Sequence, residues 1–76
     1  MIAEHSRVVL LIDLPGEGLV AGDVGTVVHC YSDRAAYEVE FFALDGHTTA
    51  VATLEEGQVR AVNRRDMAHT RELEVA

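Results

Sequence analysis

The chain has 76 residues, enough for one small domain. Such a domain buries only about 60% of its unfolded surface, which leaves little room for a deep cleft. At 49% hydrophobic and 25% charged the composition excludes disorder, while 13 acidic residues against 6 arginines and no lysine (net charge −7) disfavour binding to a phosphate backbone.

"RVVLLI", Arg7–Ile12, is apolar and rich in β-branched residues. It predicts a strand buried on both faces. The run is far short of the about 20 apolar residues that a membrane span needs. Glu4 before it is the wrong flank for a signal peptide. The single cysteine, Cys30, cannot form an internal disulfide. An unprocessed, cytoplasmic protein with no membrane contact is the expectation.

"DLPGEGLVAG" follows, punctuated by Asp13, Pro15, Gly16, Gly18 and Gly22. No helical period fits it, so it predicts a loop of about ten residues, pinned inward by Leu14, Leu19 and Val20. Val24–Tyr31, "VGTVVHCY", predicts the second strand. Gly22 and Asp23 form the turn before it, and Gly25 allows a sharp bend or a bulge. "SDRAA" is a turn.

"AYEVEFFALDGHTTAVATL" carries an Asp45-Gly46 pair between two alternating runs, the signature of a hairpin with a type I′ turn. That turn sets Leu44 opposite His47, Phe41 opposite Ala50, Val39 opposite Ala52 and Tyr37 opposite Leu54. Phe41, Val39 and Tyr37 with their partners make one apolar face. Glu40 with Val51, Glu38 with Thr53 and Phe42 with Thr49 make the other, which is mostly polar. A slip of one residue would mix the faces, so the register is well specified.

"EEG" predicts a tight turn of 3-10 type, and "QVRAV", Gln58–Val62, a fifth strand with Val59 or Val62 inward. In the remainder, Asn63 and Asp66 have the spacing of a helix cap, while Arg71, Leu73 and Val75 alternate as in a strand. A turn around Arg65–Met67 and an extended tail follow from this. The chain therefore divides into residues 1–62, an all-β domain of five short strands, and residues 63–76, a C-terminal tail. Five strands in so short a chain bury one face by curling, so the expected fold is a small five-stranded SH3-like barrel with a long loop after its first strand. An OB-fold is the main rival.

Gly16, Gly18, Gly22 and Gly25 invite comparison with phosphate-binding loops. A P-loop needs a lysine, which this chain lacks, and a dinucleotide fingerprint needs a following helix, where a strand is expected here. Leu14-Pro15, "GDVGTVV" at Gly22–Val28, "YEVEF" at Tyr37–Phe41 and Asp45-Gly46 together resemble a group of short bacterial SH3-like proteins of unassigned function. The glycine-valine element also resembles the KOW motif and the barrel of the nitrile hydratase beta subunit. The first resemblance implies a setting beside toxin-like genes, and with it an immunity or antitoxin role.

His5, His29, Cys30, His47 and His69 have no metal-ligand spacing, and adjacent His29 and Cys30 point to opposite faces of a strand. No cofactor, metal or catalytic residue is expected. Glu38 and Glu40 share a strand face at acid–base distance, but a solvated face explains them better. Phe42, projecting beside them, marks a protein contact unless the tail covers it. Arg60, Arg64, Arg65 and Arg71 give the tail a basic character. The expected function is a non-enzymatic, acidic protein-interaction module with Glu38, Glu40, Phe42, Arg64, Arg65 and Arg71 at the contact. A homodimer through the tail or a strand edge is a further expectation. A nucleic-acid or ribosome-associated barrel of KOW type, using the arginine-rich end, is the alternative.

Overall fold

A computed structural model describes residues 2–73. It contains five strands: β1 (Arg7–Leu10), β2 (Val24–Tyr31), β3 (Ala36–Phe42), β4 (Thr48–Glu55) and β5 (Val59–Ala61). Two 3-10 turns, Pro15–Glu17 and Glu56–Gln58, lie between them. The strands form one antiparallel sheet in the order β4-β3-β2-β1-β5, so the last strand returns to pair with the first. The all-β class and the five strands follow the expectation. The closure does not: among the described residues no ladder joins β4 to β5, and the sheet is open.

The core is a single apolar cluster that takes Val8 and Leu10 from β1, Val27 from β2, Tyr37, Val39 and Phe41 from β3, Leu54 from β4 and Val59 from β5. Among the described residues no helix or second sheet covers this cluster, so the sheet bends until both edge strands feed it. Leu19 closes it from the long loop, and Leu14 packs against it. Val20 does not pin the loop as expected: it is exposed, because Pro15–Glu17 and a Leu14–Leu19 bridge turn the chain back on itself just before it. Proline at the start of that 3-10 turn presets its φ. Buried Tyr37 keeps its hydroxyl paired, accepting from Ile2 N–H at 3.2 Å and donating to Glu56 at 3.4 Å.

The hairpin register agrees with the alternation over most of its length. Tyr37 pairs with Leu54, Val39 with Ala52 and Phe41 with Ala50, while Glu38–Thr53 and Glu40–Val51 fall on the other face. The turn differs. Ala43 C=O accepts from Gly46 N–H at 2.9 Å and Ala43 N–H donates to His47 C=O at 2.9 Å. Only Gly46 has positive φ, at 93°. This is a three-residue loop with glycine in the left-handed position, not a type I′ turn. The longer loop leaves Leu44 96% exposed instead of facing inward, and Phe42 pairs with Thr48 rather than Thr49.

Gly25 runs through regular pairing between Val8 and Phe41, and the bulge lies at Val28 instead. Space explains the glycine. A Cβ there would stand 2.6 Å from Val39 Cγ1 and 2.9 Å from the Phe41 ring, and neither buried side chain can withdraw. The extra residue at Val28 leaves both Val28 and His29 exposed and lets Cys30 turn back against the core. Gly22 does form the expected turn, with φ 98° and Asp23 N–H donating to Val20 C=O. At the other end Val59 is the inward residue of β5, and Val62 is exposed.

Candidate functional site

Alternation on β3 sends Tyr37, Val39 and Phe41 inward and Glu38, Glu40 and Phe42 to the outer face of the sheet. The two carboxylates are held by neighbours. Glu38 accepts from the hydroxyls of Thr53 at 2.5 Å and Tyr31 at 3.2 Å, and Glu40 accepts from Thr48 at 2.6 Å. Their partners come from the adjacent strand β4 and the end of β2, which fixes both side chains across the sheet. Phe42 remains 46% exposed, so the described part of the tail, residues 63–73, does not bury it. Val24 on β2 and Val51 on β4 are half-exposed as well. The result is an outer face of apolar side chains separated by two oriented carboxylates. It can offer hydrogen-bond acceptors and an aromatic contact.

The arginines fall into two groups. Arg64 and Arg65 are exposed on a turn in which Asp66 N–H donates to Asn63 C=O. The turn stands one residue ahead of the position expected from the sequence. Arg71, in contrast, is folded back onto the long loop. It donates through Nε and Nη2 to the two Asp23 oxygens at 2.9 and 2.6 Å, and through Nη2 to Gly18 C=O at 3.1 Å. Asp23 also accepts from Val20 N–H at 2.9 Å. Partial burial pushes the Asp23 carboxyl up, but the Arg71 hydrogen bond, the Val20 N–H and the Arg71 charge outweigh it and hold the carboxyl below its usual range. Arg60 makes a similar fork to Asp66, with both bonds at 2.9 Å. That bond, with the Asn63 N–H, lowers the Asp66 pKa to about 2.

The structure thus brings Glu38, Glu40 and Phe42 together on one strand face, while Arg71 is spent on an internal pair and Arg64 and Arg65 stay on a separate turn. Residues 66–73 are in no strand or helix. The alternation expected through Val75 runs beyond the described residues. Two of the contacts that the sequence does not reveal join segments far apart in the chain. One is the pairing of Asp23 with Arg71. The other is a corner at the start of the chain, where Glu4 lies 3.6 Å from His29 and Cys30 Sγ donates to Ile2 C=O at 3.4 Å. Nothing in spacing could reveal contacts between residues so far apart in the chain. His47 stands at the hairpin turn beside Asp45, at 3.1 Å. Among the described residues no group of three or more His, Cys, Asp or Glu side chains is placed to hold a metal ion.

A model for a domain of unknown function, DUF4926, matches residues 4–61, from just ahead of β1 to the end of β5. The chain belongs to the DUF4926 family. The outer face of β3 and the Gly22–Val28 element both lie within the DUF4926 match, whereas Arg64, Arg65 and Arg71 lie outside it. No curated protein and no solved structure matches the chain. Among the described residues no helix is long and apolar enough to cross a membrane.

Proposed function

We propose that this DUF4926 protein is a non-enzymatic, acidic protein-interaction module, an immunity- or antitoxin-like partner of a neighbouring gene's product in the bacterial cytoplasm. The observation that carries the reading is half-exposed Phe42 on the same strand face as Glu38 and Glu40. Aromatic side chains are enriched at protein interfaces, and oriented carboxylates around one select a basic partner surface. The single cysteine fits a reducing compartment. The return of β5 to β1 and the core shared by all five strands support an SH3-like curl of the sheet.

The nucleic-acid reading of KOW type has exposed Arg64 and Arg65 in its favour. It is weakened by the engagement of Arg60 and Arg71 with Asp66 and Asp23. Co-expression with the neighbouring gene's product tests the proposal. The wild-type chain is expected to relieve toxicity and to co-purify with that product. Phe42→Ala and the double variant Glu38→Gln/Glu40→Gln are expected to remain folded and to lose both effects. Equal capture by wild type and both variants would exclude this face as the contact. Salt-dependent binding to RNA or DNA, with no capture of the protein, would favour the alternative.

A further inference from the structure

The two edges of the sheet differ in how they are defended. β5 has three residues, one of them Arg60, and the chain turns away directly after it. β4 has eight residues, no proline, and no charged side chain before Glu55. A long, uncharged edge is a template for another strand. The register slip beside Thr49 leaves Ala50–Glu55 as the regular part of the strand.

The direction of its backbone groups follows from the pairing. Glu56 N–H donates to Ala35 C=O, so in the alternating antiparallel pattern Leu54, Ala52 and Ala50 turn their backbone groups toward β3. Val51, Thr53 and Glu55 turn theirs to the free edge. Glu55 N–H is taken by the Gln58 side chain at 2.8 Å. Among the described residues no bond outside the ladders uses the backbone of Val51 or Thr53.

We propose that β4 is a homodimerisation edge, on which two copies of this chain pair β4 to β4, antiparallel, about a two-fold axis at Val51. The sequence Thr49-Ala50-Val51-Ala52-Thr53 reads the same in both directions. An antiparallel two-fold therefore sets Val51 against Val51 and Ala50 against Ala52 of the second copy in the regular part of the strand, and brings Thr49, at the register slip, toward Thr53 of the second copy. Val51 is 47% exposed in the single chain and covers its own counterpart in the pair. Cross-strand threonine pairs are favourable. Glu55, the one charged residue of β4, lies beyond the stretch paired about the axis, so no like charges stand opposite one another across it. A register centred on Ala52 would instead leave Val51 against Thr53 and Glu55 against Thr49.

The net charge of −7 does not prevent the pairing. The outer-face carboxylate nearest the axis is Glu40, the β3 neighbour of Val51. Its counterpart lies three strand spacings away, about 14 Å, beyond the screening length of about 8 Å at physiological ionic strength. The pairing uses the backbone edge of β4 rather than the Phe42 face, so it stands or falls apart from the partner proposed above.

Light scattering coupled to size-exclusion chromatography on the full chain, over a concentration series, tests the assembly. The wild type is expected to shift from monomer to dimer as concentration rises. Val51→Lys and Val51→Glu, each placing like charges on the axis, are expected to stay monomeric, and an equimolar mixture of the two to form a heterodimer. Amide exchange on the wild type provides a readout independent of any variant. Val51 and Thr53 are expected to gain protection with concentration, while Ala52 and Leu54 are protected throughout. A monomeric wild type at every concentration, an undiminished Val51→Lys dimer, a mixture that does not associate, or concentration-independent exchange at Val51 would each overturn the proposal.

Discussion

In the β3–β4 hairpin, Tyr37, Val39 and Phe41 are buried against Leu54, Ala52 and Ala50, whereas residues 63–72 are exposed throughout and the segment is tied back by two arginine–aspartate forks. The first region is held by packing, which salt does not screen and which grows with every apolar atom removed from water. The second is held by ion pairs near the surface, which contribute little each and weaken as ionic strength rises. The difference separates what maintains the domain from what positions its appendage. The inner face alone secures β3, so Glu38, Glu40 and Phe42 on its outer face are not needed to hold the strand in place.

Phe41→Ala strikes the packed region hardest. The ring is buried between Ala50 on β4 and Gly25 on β2. Its loss is expected to destabilise the protein by about 3–5 kcal/mol, read from urea unfolding, which is of the order of the whole stability of so small a domain. Gly25→Ala tests the same packing from the opposite direction by adding one carbon. The contacts at 2.6 and 2.9 Å predict a cost of about 1–3 kcal/mol with the outer face unchanged. A neutral result in the same unfolding assay would mean that Val39 and Phe41 repack freely, and the contrast between the two regions would lose its basis.

The smallest effect belongs to the tail. Asp66 and Asp23 both have carboxyls held below the usual range, so the folded state binds fewer protons than the unfolded one. Their contribution is complete above the ordinary carboxylate pKa near 3.8 and is lost as pH falls through their lowered values, about 2 for Asp66. The thermal midpoint of the wild type should therefore carry an acid-side loss that Arg60→Ala/Arg71→Ala largely lacks. The difference between the two proteins should shrink in high salt. An equal difference at low and high salt would show that the tail is held by packing after all.

Alternation and the Asp45-Gly46 pair were enough to read the hairpin's register from Tyr37 to Phe41, because the faces of a half-buried strand repeat every two residues. They failed at the turn, where either a two-residue or a three-residue loop satisfies the same dipeptide and only the backbone geometry chooses. Gly25 illustrates a second limit. Its presence was legible, but its reason is the nearness of Val39 and Phe41 on a neighbouring strand. The outer-face trio Glu38, Glu40 and Phe42 was legible from the same period of two. The engagement of Arg71 was not, since its partner lies 48 residues earlier.

The chain's local chemistry determined its strands, the inward and outward faces of β3 and β4, and the Gly22 turn, because each depends on neighbours within a few residues. The sheet order, the bulge at Val28, the Asp23–Arg71 and Arg60–Asp66 forks and the free edge of β4 came only with the tertiary structure. These depend on how strands distant in sequence settle around one small core. A periodic pattern records which side of a strand meets that core, but not which other strand it meets there.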